Sequence, residues 1–261
     1  MSESKWNPQQ YDRFRDERRQ PFFDLMALVE RAGNMRVVDL GCGTGELTSV
    51  LHTQLAARET IGIDSSETML AKSASFTSAG LRFEIGDVAD YRAAEPVDLL
   101  FSNAALHWVD DHPALLARLT ASIAHGGQLA VQIPANHDHA SHRVAAEVAQ
   151  GEPFRTELRG YVRRSSVLSP ERYSELLDEL GYARQHVRLQ VYAHYLPSRD
   201  EVVEWTKGTL LVAYQQRLSA ETFARFVEHY RARLLPQLAE TRPYLYPFKR
   251  ILFWGRRNAR M

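Results

Sequence analysis

Cysteine is almost missing. Cys42 is the single one in 261 residues, so neither an intramolecular disulfide nor a multi-cysteine metal site can form. That scarcity suits a reducing compartment, and the expected location is the cytoplasm. No uninterrupted apolar run approaches the ~20 residues of a membrane span, so no membrane is expected as a partner. The opening stretch, MSESKWNPQQYDRFRDERRQ, holds no apolar h-region and does not read as a secretory signal. Excess charge is lacking too. Lys plus Arg equals Asp plus Glu at 32 each, so no global field recruits nucleic acid or anionic lipid. The closing stretch KRILFWGRRNARM holds a local basic cluster, but nucleic acid is not expected as a partner. Internal repeats and low-complexity tracts are absent.

What is present is the composition of an ordinary globular chain, 44% hydrophobic and 25% charged. A charged amphipathic helix is expected from about 12 to 32, closed by Gly33. Strands and helices then alternate. MRVVDL, TIGID, LRFEIGD, VDLLFSN and QLAVQIP read as strands, with GELTSVLHTQLAA, SSETMLAKSA and HPALLARLTASIAHGG as the helices between them. VDLLFSN is apolar on both faces, as a buried parallel strand requires. This alternation predicts an α/β protein with βαβ units and a parallel sheet. After Pro134 the pattern changes. Residues 135–168 are polar and weakly periodic. SPERYSELLDELGY is a capped helix and ARQHVRLQVYAHYL a strand. The segments 197–218 and 219–240 read as two helices, and KRILFWGRR as the last strand. The expected organisation is an N-terminal lid and helix (1–32), a cofactor core (33–134), helical cap insertions (135–168 and 198–247), and remaining sheet elements (169–197 and 248–261).

The glycine loop VVDLGCGTGEL decides the cofactor. A dinucleotide fingerprint is G-x-G-x-x-G. Here the glycines fall at 41, 43 and 45, and position 46 is Glu. Asp39 before the loop and Glu46 after it gain nothing from a pyrophosphate. They suit a net cationic, zwitterion-bearing ligand better. Asp39 can orient an ammonium, Asp64 can accept two ribose hydroxyls, and Asp87 can accept an adenine amino group. Three acids at the ends of three successive strands form one constellation at the crevice edge of the sheet.

DLGCGTGEL, GID, GDVAD and LLFSNAALHWV resemble, in order, the motifs of S-adenosylmethionine-dependent methyltransferases. The resemblance implies a Rossmann-like, doubly wound, mostly parallel seven-stranded sheet with S-adenosyl-L-methionine as cofactor. It implies Asp39, Gly41, Gly43 and Gly45 at the methionine end, Asp64 with Ser65 at the ribose, Asp87 with Val88 at the adenine, and Asn103 and Ala104 near the sulfonium. A narrower resemblance spans nearly the whole chain. WNPQQYDRF, ERRQP, SNAALHWVDDH, LAVQIPAN, LPSRDEVVEWTKGT and FKRILFWGRR look like the trans-aconitate methyltransferase family, which methylates a carboxylate of a small polycarboxylic acid. Carried over, Trp6, Tyr11 and Arg18 form a lid, while His107 and Trp108 line the transfer pocket.

The (Asp/Asn)-Pro-Pro-aromatic stretch of DNA amino-methylases is replaced here by Ser102-Asn103-Ala104-Ala105, which argues against a nucleic-acid base as acceptor. The chain also departs from the aconitate pattern. Leu211-Val212-Ala213-Tyr214 stands where an Arg-Pro-aromatic element is expected, and Gln20 stands in place of a basic residue. Candidates for gripping the acceptor are Arg163, Arg164, Lys249 and Arg250. Tyr192, Tyr195, Trp205, Tyr244 and Tyr246 are candidate walls, each weighed against a packing role. Cys42 reads as a packing residue. The histidines at 137, 139 and 142 read as a solvated loop, with no metal site.

A carboxylate acceptor is ionised at pH 7 and needs no general base. With a phenol or amine, His107 is the first candidate base. A carrier-bound malonyl group, a phenol, an amine and a non-catalytic cofactor-binding module all stay open, as does the oligomeric state, a monomer included.

Overall fold

The computed structural model describes the backbone of residues 15–259 and the side chains of residues 19–259. Trp6 and Tyr11 lie outside the described residues, as does the Arg18 side chain.

The residues group into two compact units, taken in turn. The sheet unit comprises 19–134, 166–190 and 250–259. Its first helix, α1 (Arg15–Met26), sets Phe22 edge-on against Phe101 at 5.1 Å. β1 (Arg36–Leu40), β2 (Glu59–Asp64), β3 (Leu81–Ile85), β4 (Val97–Asn103) and β5 (Ile123–Pro134) run parallel, and β7 (Tyr244–Arg257) is antiparallel to β5. With β6 (Tyr182–Leu196) at the edge, the seven-stranded order is β3-β2-β1-β4-β5-β7-β6. The mixed seven-stranded Rossmann-like sheet expected from the motifs is therefore present. Chain order reverses between β1 and β4, and in such sheets that switch point opens a crevice at the carboxyl ends of the strands. Val37, Val38, Leu99, Leu100, Leu129 and Ala130 are fully buried at the centre of the sheet, which is why these strands read as continuous apolar runs.

Helices α2 (Glu46–Leu55), α3 (Glu67–Ser73), α4 (His112–Ala121) and α7 (Pro170–Glu179) flank these strands in sequence. Ser66, Asp111 and Ser169 cap α3, α4 and α7 through their side-chain oxygens.

Several boundaries differ from the sequence expectation, and the last strand begins at Tyr244 rather than Lys249. α1 gives way after Met26 to single turns, and Asn34 (φ 65°), not Gly33, adopts the left-handed conformation. α4 ends at Ala121, because Ile123 is buried and pairs with Val97 as the start of β5. The single helix expected over 197–218 is broken by Gly208 into α8 (Asp200–Lys207) and the one-turn α9 (Val212–Gln215).

The helical unit comprises 135–165 and 191–249. α5 (Ala140–Gln150) and α10 (Ala220–Leu234) carry its apolar faces, with a short α6 (Phe154–Glu157). Val144, Ala145, Val148 and Ala149 of α5 share one core with Phe226, Tyr230 and Leu234 of α10. The ANHDHASH stretch is not the solvated loop expected. Asn136 and Ser141 are buried, and His139 caps α5 by accepting the Ser141 N–H. Among the described residues, no group of His, Cys, Asp or Glu is arranged to hold a metal ion, and no helix is long and apolar enough to cross a membrane.

Candidate active site

The β1–α2 loop is held by its own backbone. The N–H groups of Gly41 and Cys42 both donate to Ile63 O at 2.8 and 3.0 Å, which ties the loop to β2. Gly41, Gly43 and Gly45 all have positive φ, at 79°, 58° and 77°. At Gly41 a Cβ would lie 2.2 Å from the Ala105 Cβ, so backbone must sit where a side chain cannot. The loop is a tight backbone turn, half-buried to buried, that ends at the N-terminus of α2.

Asp39, on β1 in register with Gly62 and Phe101, is buried, and its Oδ2 accepts the Thr48 hydroxyl at 2.6 Å. Burial pushes its carboxyl up to about 7; the Thr48 hydrogen bond opposes that rise and the nearby Asp64 charge adds to it. Asp64, ending β2, braces the loop. Its Oδ2 accepts the Gly43 N–H at 2.9 Å and its Oδ1 accepts the Ser66 N–H at 2.9 Å, with the exposed Ser65 between. Asp87 lies two residues beyond β3. It is exposed, and its Oδ1 accepts the Ala89 N–H across the half-buried Val88. Ile85, in register with Asp64, leaves 60% of its surface exposed, an apolar face that sequence reading missed because it occupies an ordinary strand position.

Asn103 ends β4 in register with Gln132 of β5. Among the described residues, its buried Oδ1 has no hydrogen-bond partner, nor has the buried Gln132 Nε2. Gln132 Oε1 accepts from the buried Arg250 guanidinium at 3.3 Å. Ala104 follows with φ 57°, a strained conformation for a residue with a Cβ, and its N–H donates to Gln132 O. A single helical turn, Leu106–Trp108, comes next. It carries His107, whose ring centre lies 4.8 Å from that of the half-exposed Trp108. Cys42 is buried, and burial with the Asp39 and Asp64 charges pushes its thiol up, consistent with packing. Glu46 pairs with Arg19 at 3.3 Å, while Gln20 donates to Asp24 on the same helix.

The helical unit places the other candidates differently. Trp205 and Tyr246 are fully buried in its core, with Phe248 edge-on to Tyr246 and tilted against Trp205, and His194 stacked on Trp205 at 5.2 Å. Tyr192 and Tyr244 are buried too, and Tyr195 is exposed. Lys249 pairs with Asp138, Arg163 gives its backbone N–H to Tyr214 Oη at 3.2 Å, and Arg164 is exposed. Leu211 through Tyr214 are all buried, so no charged clamp fits there; the neighbouring cation is Arg217, 3.8 Å over the Tyr161 ring.

Residues 32–179 match the family model described as Methyltransferase domain. A trans-aconitate 2-methyltransferase of Deinococcus radiodurans is 46% identical over 95% of this chain and 96% of its own length. One from Methylobacterium nodulans is 40% identical over 97% and 98%. Among solved structures, the YcgJ protein of Bacillus subtilis matches at a TM-score of 0.60 and 16% identity, covering 93% of this chain and 100% of its own. An S-adenosylmethionine-dependent methyltransferase of Mesorhizobium loti matches at 0.52 and 20%, covering 90% and 96%. The chain therefore belongs to the S-adenosylmethionine-dependent methyltransferases, and within them to the family of the trans-aconitate 2-methyltransferases.

Proposed function

We propose that this enzyme methylates a carboxylate of a small polycarboxylic acid of the trans-aconitate type. The observation that carries this reading is the end-to-end similarity to relatives bearing that name, helical unit included.

The residues present fit the cofactor. The glycine loop offers backbone where a Cβ at Gly41 or Gly45 would collide, and the buried Asn103 Oδ1 awaits a donor. In this reading Asp39, Gly41, Gly43 and Gly45 hold the methionine end. Asp64 with Ser65 takes the ribose, Ile85, Asp87 and Val88 take the adenine, and Asn103 and Ala104 border the reacting centre. S-adenosylmethionine supplies a methyl carbon made electrophilic by positive sulfur, which passes to a carboxylate oxygen to leave a methyl ester and a neutral thioether. Asp39 places negative charge on a ligand that carries positive charge. His107 and Trp108 wall the acceptor side and exclude water, which favours a reaction that destroys charge. No side chain has to take a proton, because the nucleophile is already ionised. Placement of the acceptor then dominates catalysis, and proximity of this kind is worth up to roughly 7–11 kcal/mol. Arg163, Arg164, Lys249 and Arg250 are the cations available to grip the non-reacting carboxylates.

The test is methyl transfer from labelled S-adenosylmethionine to a panel of di- and tricarboxylates, with phenols, amines and a malonyl thioester alongside. Trans-aconitate or a near analogue as preferred acceptor supports the reading. Transfer to a phenol, amine or thioester alone would redirect it. Tight cofactor binding with no transfer would make the chain a binding module.

A further inference from the structure

A buried chain of hydrogen bonds stands behind the turn that carries His107 and Trp108. His112, at the start of α4, is 2% exposed and Tyr173, on α7, is 0% exposed. The His112 Nδ1 lies 2.5 Å from Tyr173 Oη, and its Nε2 lies 3.1 Å from Leu106 O. Tyr173 Oη in turn lies 3.2 Å from the Leu168 backbone nitrogen. All four residues belong to the sheet unit.

The proton positions follow from what each group can do. A carbonyl oxygen only accepts, so Leu106 O requires the proton on His112 Nε2. A backbone N–H only donates, so Leu168 takes a lone pair of Tyr173 Oη. The Tyr173 hydroxyl hydrogen is then left for His112 Nδ1, which in this tautomer is an acceptor. One arrangement satisfies every group, and it needs a neutral imidazole. Burial favours that state, since it pushes the His112 pKa down and the Tyr173 phenol up. The Tyr173 ring is itself clamped, stacked on Phe253 at 4.6 Å and 18°.

We propose that His112, oriented by Tyr173, is a positioning residue that fixes the Leu106–Trp108 turn, and through it the rings that border the methyl acceptor. This rests on the proposed acceptor-side role of His107 and Trp108. The turn is a single 3-10 turn between a strained Ala104 and the cap of α4, closed by the Trp108 N–H to Ala105 O and the Val109 N–H to Leu106 O. Leu106 is its buried anchor, and His112 reaches that residue's carbonyl directly. Neither His112 nor Tyr173 touches the glycine loop through any of these bonds, so acceptor kinetics should suffer while cofactor affinity does not.

The test compares His112→Leu, His112→Gln and Tyr173→Phe with the parent protein. The glutamine amide Nε2–H can still reach Leu106 O, whereas leucine cannot. In hydrogen-exchange mass spectrometry, peptides spanning 105–112 should exchange faster in H112L and Y173F and near the parent rate in H112Q. With an active acceptor, kcat/KM should fall about tenfold in H112L, the usual cost of one lost buried hydrogen bond with its partner stranded. H112Q should recover most of that loss, and the S-adenosylmethionine Kd should stay within about twofold of the parent in all three. Y173F added to H112L should cost little more, because the two act as one chain. Unchanged exchange in H112L and Y173F overturns the proposal. So does equal damage by leucine and glutamine, or cofactor affinity lost in step with acceptor kinetics. If no acceptor is found for the parent, the function proposed above fails, while the exchange measurement still decides this inference.

Discussion

Thr48 Oγ1 donates a 2.6 Å hydrogen bond to Asp39 Oδ2 inside the wall of the glycine loop, where the carboxyl is 3% exposed. The acid is left with a pKa of about 7, poised between its two states at neutral pH. A cationic ligand interacts better with the charged form. Cofactor affinity should therefore rise with pH, by about tenfold between pH 6 and 8, as the fraction ionised grows through 7. Titration calorimetry across that range checks this. Asp39→Asn should flatten the curve, and Thr48→Val should move its midpoint upward, because the hydroxyl bond is what lowers the pKa. A pH-independent Kd in the parent protein would sink the assignment of Asp39 to the ligand's cationic end.

The same residue carries the opposite sign for folding. Its folded pKa of about 7 stands above the ordinary aspartate value of 3.8, so between those values the folded state binds more protons than the unfolded one. The ligand-free protein should lose stability as pH rises through that window and keep the contribution in full only below it. Thermal unfolding of the ligand-free protein from pH 5 to 8 should show the loss, and Asp39→Asn should remove that part of the slope. A slope unaltered by the substitution would mean Asp39 is ionised throughout.

The residues legible in the sequence are those whose role is set by local spacing. Asp39 and Asp64 could be placed because each lies at the end of a short apolar strand, and the loop glycines because three alternate positions need a backbone most residues avoid. Serines 66, 169 and 219 were readable as caps for the same reason. Contacts between distant segments were not readable. His112 and Tyr173 are 61 positions apart, and although His112 closes the stretch SNAALHWVDDH, nothing in that stretch names its partner. Trp205 and Tyr246 looked like pocket walls because large aromatics in an insertion have no periodic partner to betray a core. Their burial comes from packing against Phe248 and His194. The hydrophobic face of α5 was faint since alanines supply half of it, and alanine marks a face weakly.

Gly41→Ala should abolish measurable cofactor binding and destabilise the protein. Two effects add: the left-handed conformation at φ 79° costs an alanine roughly 1–2 kcal/mol, and the new methyl would sit 2.2 Å from the Ala105 Cβ. Adding Ala105→Gly removes the collision but leaves the conformational cost. The double variant should thus recover part of the lost melting temperature, readable by scanning calorimetry. No recovery would place the clash elsewhere.

Asp64→Asn separates two jobs of one side chain. The carboxylate accepts the Gly43 N–H on one oxygen and the Ser66 N–H on the other. An asparagine keeps one acceptor and puts an NH2 group against the other donor, so one of these two bonds must fail. Losing a hydrogen bond to a charged acceptor costs about 1.5–3 kcal/mol. If Asp64 also accepts the ribose hydroxyls, the cofactor Kd should rise by about tenfold to a hundredfold, with the larger figure where both functions fail. A ligand lacking those hydroxyls tells the two apart: 2′,3′-dideoxy S-adenosylhomocysteine should bind the parent protein weakly and lose little more in the variant. If that analogue bound the parent as well as S-adenosylhomocysteine does, Asp64 would serve only to brace the loop. If instead the variant bound both ligands as the parent does, the carboxylate would have no part in the site.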